Sequence, residues 1–266
     1  MELMGKAMLR TVVRAFTTET ARWRARVLKE TIEGLRRRAN PIERQCPICG
    51  YKGTFWPVGW PLRPEAFCPG CGSLERHRLF KLWLNQNAAV CKGKRILHFA
   101  PEGSLGPILR ECTSTYTTAD LADGADLKLN IESMNLPDAS FDVVMCSHVL
   151  EHVDDSKALR EIYRVLVDGG IALLMTPVCE GLSKTYEVPS ITDEKGRETH
   201  FGQHDHLRWF GSDFRDRVTE AGFSLEEFTA IGELAVVFGL LLGEKLFIAR
   251  KQPDNKAGNI YREEQQ

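Results

Sequence analysis

Long apolar runs are missing from this 266-residue chain, and so is any strong excess of one charge. The longest apolar stretch, Ala235 to Leu242, is far short of the roughly 20 residues a membrane-spanning helix needs and is bracketed by Glu233 and Glu244. Near the N-terminus charges interrupt every apolar run, so the sequence predicts neither a secretory leader nor a membrane span. A soluble, cytoplasmic protein is expected. The formal net charge of −1 provides no general attraction to nucleic acid or acidic lipid. Wholesale disorder is excluded as well: 43% hydrophobic and 27% charged residues sit near the globular average, and the length suits one sizeable domain plus a small satellite.

The charge that is present is unevenly spread. Residues 1–45 carry eleven Lys/Arg against five Glu, a local balance of +6. Within 3–39 the apolar positions Leu28, Ile32 and Leu35 fall at helical spacing, and Pro41 ends any helix there. A basic helical arm over 1–44 is expected, interleaved with Glu as on a solvated helix.

Eight cysteines are many for a chain expected to stay reduced, and four are paired by spacing. Cys46-Pro47-Ile48-Cys49 and Cys68-Pro69-Gly70-Cys71 are separated by eighteen residues, inside the range of a four-cysteine zinc site. Two such turns can present four thiolates to a tetrahedral Zn²⁺, with Gly50 and Gly72 relaxing the backbone after each pair. A closed four-sulfur site leaves no open position, so a structural zinc is expected, whose removal melts 45–72 and spares the rest. A redox pair would open a helix in a thioredoxin-like unit, a context absent here. Cys91, Cys112, Cys146 and Cys179 lack such spacing and read as buried thiols.

Beyond the cysteines, Ser73 is placed to cap a helix with Leu74, Leu79, Leu82 and Trp83 on its apolar face. From Arg95 the pattern becomes alternating strands and helices. Ile96–Ala100, Val143–Cys146 and Ile171–Met175 read as strands buried on both faces. Residues 103–111, 154–166 and 211–221 read as helices, closed in the last two cases by Gly169-Gly170 and Gly222. Two further strands are expected over 224–230 and 245–250. This alternation implies an α/β fold: a Rossmann-like, mostly parallel sheet with helices on both faces, preceded by a small zinc-ribbon-like module. The expected organisation is 1–44 arm, 45–72 four-cysteine module, 73–251 Rossmann-like domain and 252–266 polar tail.

The residues of this domain resemble a known family. Phe141-Asp142-Val143-Val144-Met145-Cys146-Ser147-His148-Val149-Leu150-Glu151-His152-Val153 is followed by Leu159-Arg160-Glu161-Ile162-Tyr163-Arg164-Val165-Leu166 and then by Gly169 to Pro177. In that order they are similar to the fourth-strand to fifth-strand region of class I S-adenosylmethionine-dependent methyltransferases, of the bacterial methyltransferase-11 type. The resemblance covers roughly 93–251 and implies S-adenosylmethionine as cofactor. It assigns the first loop, Ile96 to Leu105, to that cofactor, although His98 stands where the family has an acid and only Gly103 remains of its glycines. Ala100 leaves backbone room, and Glu102 can supply a carboxylate to the methionine ammonium. Asp120, about twenty residues past that loop, is expected to hold the ribose hydroxyls. Asn130 and the Ile131 amide align with the adenine-contacting segment. His98 reads equally well as a core histidine bonded to backbone.

Ligands of open parallel sheets bind outside the carboxyl ends of the strands, which puts Cys146, Ser147 and His148 near the acceptor. His148 is the first candidate for general base; His152 is the second, and more readily fixes its loop. A further cluster, His200-Phe201-Gly202-Gln203-His204-Asp205-His206-Leu207-Arg208, can supply an acceptor lid, a base (His204 or His206) or a second metal site. The expected reaction is methyl transfer to a small-molecule or saccharide acceptor. One alternative is RNA methylation, gripped by the module and basic arm with Phe55, Trp56, Trp60 and Phe67 stacking on bases. The other is a binding protein that keeps the fold without catalysis. Acceptor and oligomeric state are not legible.

Overall fold

The computed structural model describes residues 42–59 and 62–253, together with Ala21 and Ala25. Those two alanines are helical and exposed. The expected arm face of Leu28, Ile32 and Leu35, Trp60, and the tail from 254 onward lie outside the described residues. No helix among the described residues is long and apolar enough to cross a membrane.

The first cysteine pair sits in the ribbon of β1 (Arg44–Gln45) and β2 (Lys52–Gly53), and β3 (Trp56–Val58) pairs antiparallel with β4 (Arg63–Phe67) just before the second. The core here is minute, a cluster of Cys46, Phe55 and Cys68 with Ile48, Tyr51 and Cys71 packed around them. The next helix, α1 (Glu75–Gln86), begins after Leu74. Leucine has no side chain to cap with, so His77 reaches back and its Nδ1 accepts from the Leu74 amide at 3.0 Å. The sequence assigns the cap to Ser73. Its hydroxyl instead lies 3.3 Å from Cys71 Sγ and 3.5 Å from Cys46 Sγ.

Thereafter come β5 (Arg95–Phe99), α2 (Gly106–Cys112), β6 (Thr115–Asp120), β7 (Leu127–Lys128), β8 (Phe141–Ser147), α3 (Asp155–Val165) and β9 (Leu166–Met175). A peripheral excursion follows: β10 (Tyr186–Glu187), α4 (Glu194–Phe201) and β11 (Arg208–Trp209), with β10 pairing β11. The chain closes with α5 (Phe214–Glu220), β12 (Phe223–Thr229), α6 (Gly232–Val237) and β13 (Lys245–Lys251).

Seven strands form one sheet in the order β7-β6-β5-β8-β9-β13-β12. It is parallel from β7 to β9, and β13 runs antiparallel to both its neighbours. Alternate residues of each strand feed opposite cores, as a pleat with period two requires. Leu97, Phe99, Val144, Cys146 and Leu174 meet Ala158, Leu159 and Ile162 of α3 and Phe214 and Val218 of α5. Ile96, Val143, Met145 and Leu173 meet Leu79, Phe80 and Trp83 of α1 and Leu109 of α2. Both faces are covered, so the parallel strands read as continuous apolar runs.

α3 is capped by Asp154, whose carboxylate accepts from the Lys157 amide at 3.2 Å. It ends at Val165, before Gly169-Gly170. The glycine pair belongs to β9, where the register with β8 shifts and Gly169 takes φ +73°. A Cβ on Gly170 would stand 2.7 Å from the Val167 carbonyl oxygen. The pair therefore makes a bulge, and does not close the helix as its position suggests.

The cysteine module and the sheet meet at Arg78, fully buried on α1. Its guanidinium donates to the carbonyls of Ala66 (3.0 Å) and Ser73 (2.7 Å) on the module side and of Phe238 (2.8 Å) and Gly239 (2.5 Å) beyond α6. It also lies 4.5 Å from the Phe55 ring centre. The described residues from Arg44 onward form one compact unit.

Candidate active site at the carboxyl edge of the sheet

The chain runs outward from β5 through β6 to β7, then returns to β8 on the other side of β5. The reversal opens a crevice between the carboxyl ends of β5 and β8, the place where open α/β sheets take ligands. The register levels these ends, with Phe99 opposite both Ala119 and Cys146. The two residues that leave the crevice, Ala100 after β5 and His148 after β8, both adopt left-handed backbone, with φ +46° and +53°. Side chains disfavour that region, and such strain collects where a structure serves a ligand.

Six buried side-chain polar atoms lack a hydrogen-bond partner among the described residues, and five belong to this edge: His98 Nε2, Glu102 Oε2, Ser147 Oγ, Glu151 Oε1 and Glu244 Oε2. Native interiors pair such groups almost completely, so this concentration calls for an external partner.

His98 points into the α1 and α2 side of the sheet, where its Nδ1 lies 2.8 Å from the Tyr116 hydroxyl of β6. Burial pulls its pKa down to about 4 and pushes that of Tyr116 up to about 12. The pair is therefore neutral. Its partner is a side chain, and no backbone group takes the role the sequence allows.

Glu102 carries one committed and one free oxygen. Oε1 accepts from Arg76 Nε and from His77 Nε2, both at 2.7 Å, and Oε2 has no partner. His77 Nδ1 is already an acceptor, so Nε2 bears the proton. Burial works to raise the Glu102 pKa, but His77 and Arg76 prevail and hold it at about 2. The first loop is thus anchored by two residues in the first turn of α1, shortly after the second cysteine pair. Gly103 in the same loop faces open space.

Asp120 ends β6, and its Oδ1 accepts from the Ala122 amide at 2.8 Å. Beyond β7, Asn130 Oδ1 accepts from the Glu132 amide at 2.9 Å, and Ile131 is buried. The amide oxygen the sequence offers to a ligand is therefore already engaged once, with one lone pair to spare.

After β8, His148 lines a cavity of about 490 Å³. Its walls are Met175 to Glu180, Trp209, Leu241 to Lys245 and Phe247, closed by Arg63, Glu75 and Arg76 from β4 and α1. His204 is exposed, and neither it nor His206 lines this cavity. His148 Nδ1 is 3.0 Å from Glu151 Oε1, out of line for a hydrogen bond. Burial opposes the charge on Glu151, but the adjoining His148 outweighs it and the pKa is lowered. Glu244 shows the reverse, raised to about 7 by burial and by the nearby Glu75.

Glu244 is the group sequence reasoning passes over. Its only mark there is the end of the apolar stretch, and nothing local signals burial of an acid. That stretch is itself divided, with Ala235 buried while Val236, Leu241 and Leu242 are exposed. Cys179 also departs from expectation: it is exposed and lines the cavity, whereas Cys91 and Cys146 are buried.

One Sγ from each of Cys46, Cys49, Cys68 and Cys71 falls within 4.8 Å of the others. Cys46 and Cys71 are 3.7 Å apart, as are Cys49 and Cys68. Edges of a tetrahedron with Zn–S bonds of 2.3 Å measure about 3.8 Å, so the donor set fits zinc. Phe55 is module core; Trp56 is exposed and stacks on Phe67 with ring centres 6.0 Å apart.

Fold and crevice define an open α/β protein of the ligand-binding type. Residues 108–174 match the family described as a methyltransferase domain. Ubiquinone/menaquinone biosynthesis C-methyltransferases are among the chain's relatives. The protein of Psychromonas ingrahamii is 29% identical over 143 residues, and that of an Enterobacter species 41% over 143 residues. Each alignment takes in 43% of this chain and 56% of the relative, so the chain spans about half the length of the curated relatives it matches. Among solved structures, an S-adenosylmethionine-dependent methyltransferase from Mesorhizobium loti aligns at 16% identity and TM-score 0.48, covering 65% of this chain and 98% of that one. A methyltransferase from Burkholderia thailandensis solved with S-adenosylhomocysteine aligns at 15% identity and TM-score 0.46, covering 67% and 80%.

Proposed function

We propose that this protein is a cytoplasmic S-adenosylmethionine-dependent methyltransferase acting on a small-molecule or saccharide acceptor. The observation that carries the reading is the gathering of unpartnered buried polar atoms at the carboxyl edge of the sheet, with His98 Nε2, Glu102 Oε2, Ser147 Oγ and Glu244 Oε2 among them. When bound, S-adenosylmethionine supplies an electrophilic methyl group on a sulfonium. Asp120 accepts from the ribose hydroxyls, Asn130 and the Ile131 amide meet the adenine, and Glu102 Oε2 takes the methionine ammonium. Ala100 and Gly103 leave room for the backbone to approach.

The acceptor lies in the cavity beyond β8 and β9. Trp209, Leu241 and Leu242 give it apolar wall, while Arg63, Glu75, Arg76 and Lys245 offer charge. This mixed lining suits a molecule with an apolar body and polar substituents, in keeping with relatives whose name places them in quinone biosynthesis. His148 removes the acceptor proton. The four cysteines hold a structural Zn²⁺ that braces Arg76 and His77, and through them Glu102.

Incubation of the full chain with methyl-labelled S-adenosylmethionine and a panel of phenols, quinols and sugars should label a small molecule. His148→Ala should cut turnover by about 10²-fold or more and leave cofactor affinity unchanged. Label entering only RNA would replace the acceptor class, and equal turnover in the variant would remove His148 as the base.

A further inference from the structure

Beside this cavity lies a second set of donors that the methyl-transfer reading does not use. Glu151 and His152 sit in the short 3₁₀ turn after β8, and His206 approaches from the connection between α4 and β11. One donor atom of each of the three lies within 4.8 Å of the others. The His152 and His206 rings meet edge to face with centres 4.7 Å apart.

What distinguishes the cluster is how each ligand is held from behind. Glu151 is almost wholly buried; its Oε2 accepts from the Thr176 hydroxyl at 2.9 Å, and its Oε1 has no hydrogen bond. His152 Nδ1 is 3.2 Å from the Asp205 carboxylate. His206 Nδ1 is 3.2 Å from the Phe201 carbonyl oxygen. The Phe201 carbonyl holds the proton of His206 on Nδ1 and leaves its Nε2 a lone pair, and the Asp205 carboxylate stands beside the His152 ring. Carboxylate or carbonyl behind the imidazole is the arrangement that orients histidines toward a metal, and Glu151 Oε1 adds the negative charge. His148 Nδ1, at 3.0 Å, lies out of line for a hydrogen bond and leaves the lone pairs of this buried oxygen for a cation.

We propose that Glu151, His152 and His206 form a binding site for a divalent first-row transition-metal cation, separate from the four-cysteine site, with Asp205 and Thr176 as positioning residues. Two imidazoles and one carboxylate leave coordination positions open, and mixed nitrogen and oxygen donors suit manganese, iron or zinc. His148, 3.0 Å from Glu151 and on the cavity wall, puts the site next to the space assigned to the acceptor. The binding claim is independent of the methyltransferase reading.

Mn²⁺ tests it, because a hard cation will not displace zinc from four thiolates. The full chain, purified with zinc and without S-adenosylmethionine, is titrated with Mn²⁺ while the electron paramagnetic resonance of the free ion is followed. One Mn²⁺ should bind per chain, at least about 10-fold more weakly in His206→Ala and in the near-isosteric Glu151→Gln, and about 10-fold more weakly in Asp205→Asn. His204→Ala, on an exposed neighbour, should bind as the parent does. Since Glu151→Gln preserves shape and the Thr176 contact, it reports even if His206→Ala does not fold. No uptake up to about 1 mM Mn²⁺, or uptake undiminished in Glu151→Gln, would overturn the proposal.

Discussion

The cysteine module and the sheet hold themselves together by different means. The sheet buries two broad apolar clusters, one on each face, and its helices dock by repeated hydrophobic contact. The module buries one aromatic ring and two cysteines. A core that small cannot offset the conformational entropy of its loops, and a zinc ion at the four cysteines together with an external anchor would supply the difference. Arg78 is that anchor. A buried guanidinium with only carbonyl partners is an expensive group, and burial lowers its pKa. Zn²⁺ on the four thiolates would carry a net negative charge beside Arg78, which would offset the cost of burying a cation there. The module is thus fixed to the sheet domain through Arg78 and sets Arg63 on the cavity wall, while Arg76 and His77 of the helix that follows it tie down the first loop through Glu102.

The comparison breaks most severely at Arg78. Arg78→Ala leaves carbonyls of Ala66, Ser73, Phe238 and Gly239 unpaired and empties the space against Phe55, so a loss of about 4 kcal/mol is expected, read as a fall in Tm of roughly 10 °C or more. A loss of less than about 1 kcal/mol would mean that the two parts stand independently.

Zinc removal comes next. The sequence alone suggests that chelation melts 45–72 and nothing else, whereas the ties through Arg76, His77 and Arg78 predict more. Chelation should lower the Tm of the whole unit and weaken S-adenosylmethionine binding about 10-fold, by freeing Glu102. Calorimetry before and after chelation checks both, and unchanged cofactor affinity would sever the module from the site.

The smallest effect sharpens the sheet side. His98 has a folded pKa of about 4, below the ordinary value of 6.5, so the unfolded chain takes its proton first as pH falls. The stability this gives is complete above pH 6.5 and is lost between there and pH 4, amounting to about 3 kcal/mol. His98→Asn should flatten the curve of stability against pH in that window; an identical slope would show that His98 is not kept neutral by burial.

The sheet was the most legible part of the chain, because strands buried on both faces write themselves as apolar runs and the intervening helices carry their own period. Gly169-Gly170 and Ser73 misled for a shared reason: each suits a helix end locally, and tertiary contacts put it to another use. The cysteine spacing foretold the cluster. It could not foretell the ties of Arg76, His77 and Arg78, which depend on loops distant in sequence. Glu151 was in plain view within the stretch from His148 to Val153, but its burial and its approach to His206 arise only when the connection after α4 folds over the sheet edge. Glu244 was hidden altogether, since a charged residue beside an apolar run ordinarily faces water.

The central claim is that the crevice between β5 and β8 seats an adenosyl sulfonium with Asp120 on its sugar. Isothermal titration of S-adenosylmethionine into the zinc-loaded chain tests it directly. The account predicts one molecule bound per chain, weakened about 10-fold or more in Asp120→Ala, as expected for a lost hydrogen bond to a charged group. No binding by the parent chain, or equal binding by the variant, would contradict it.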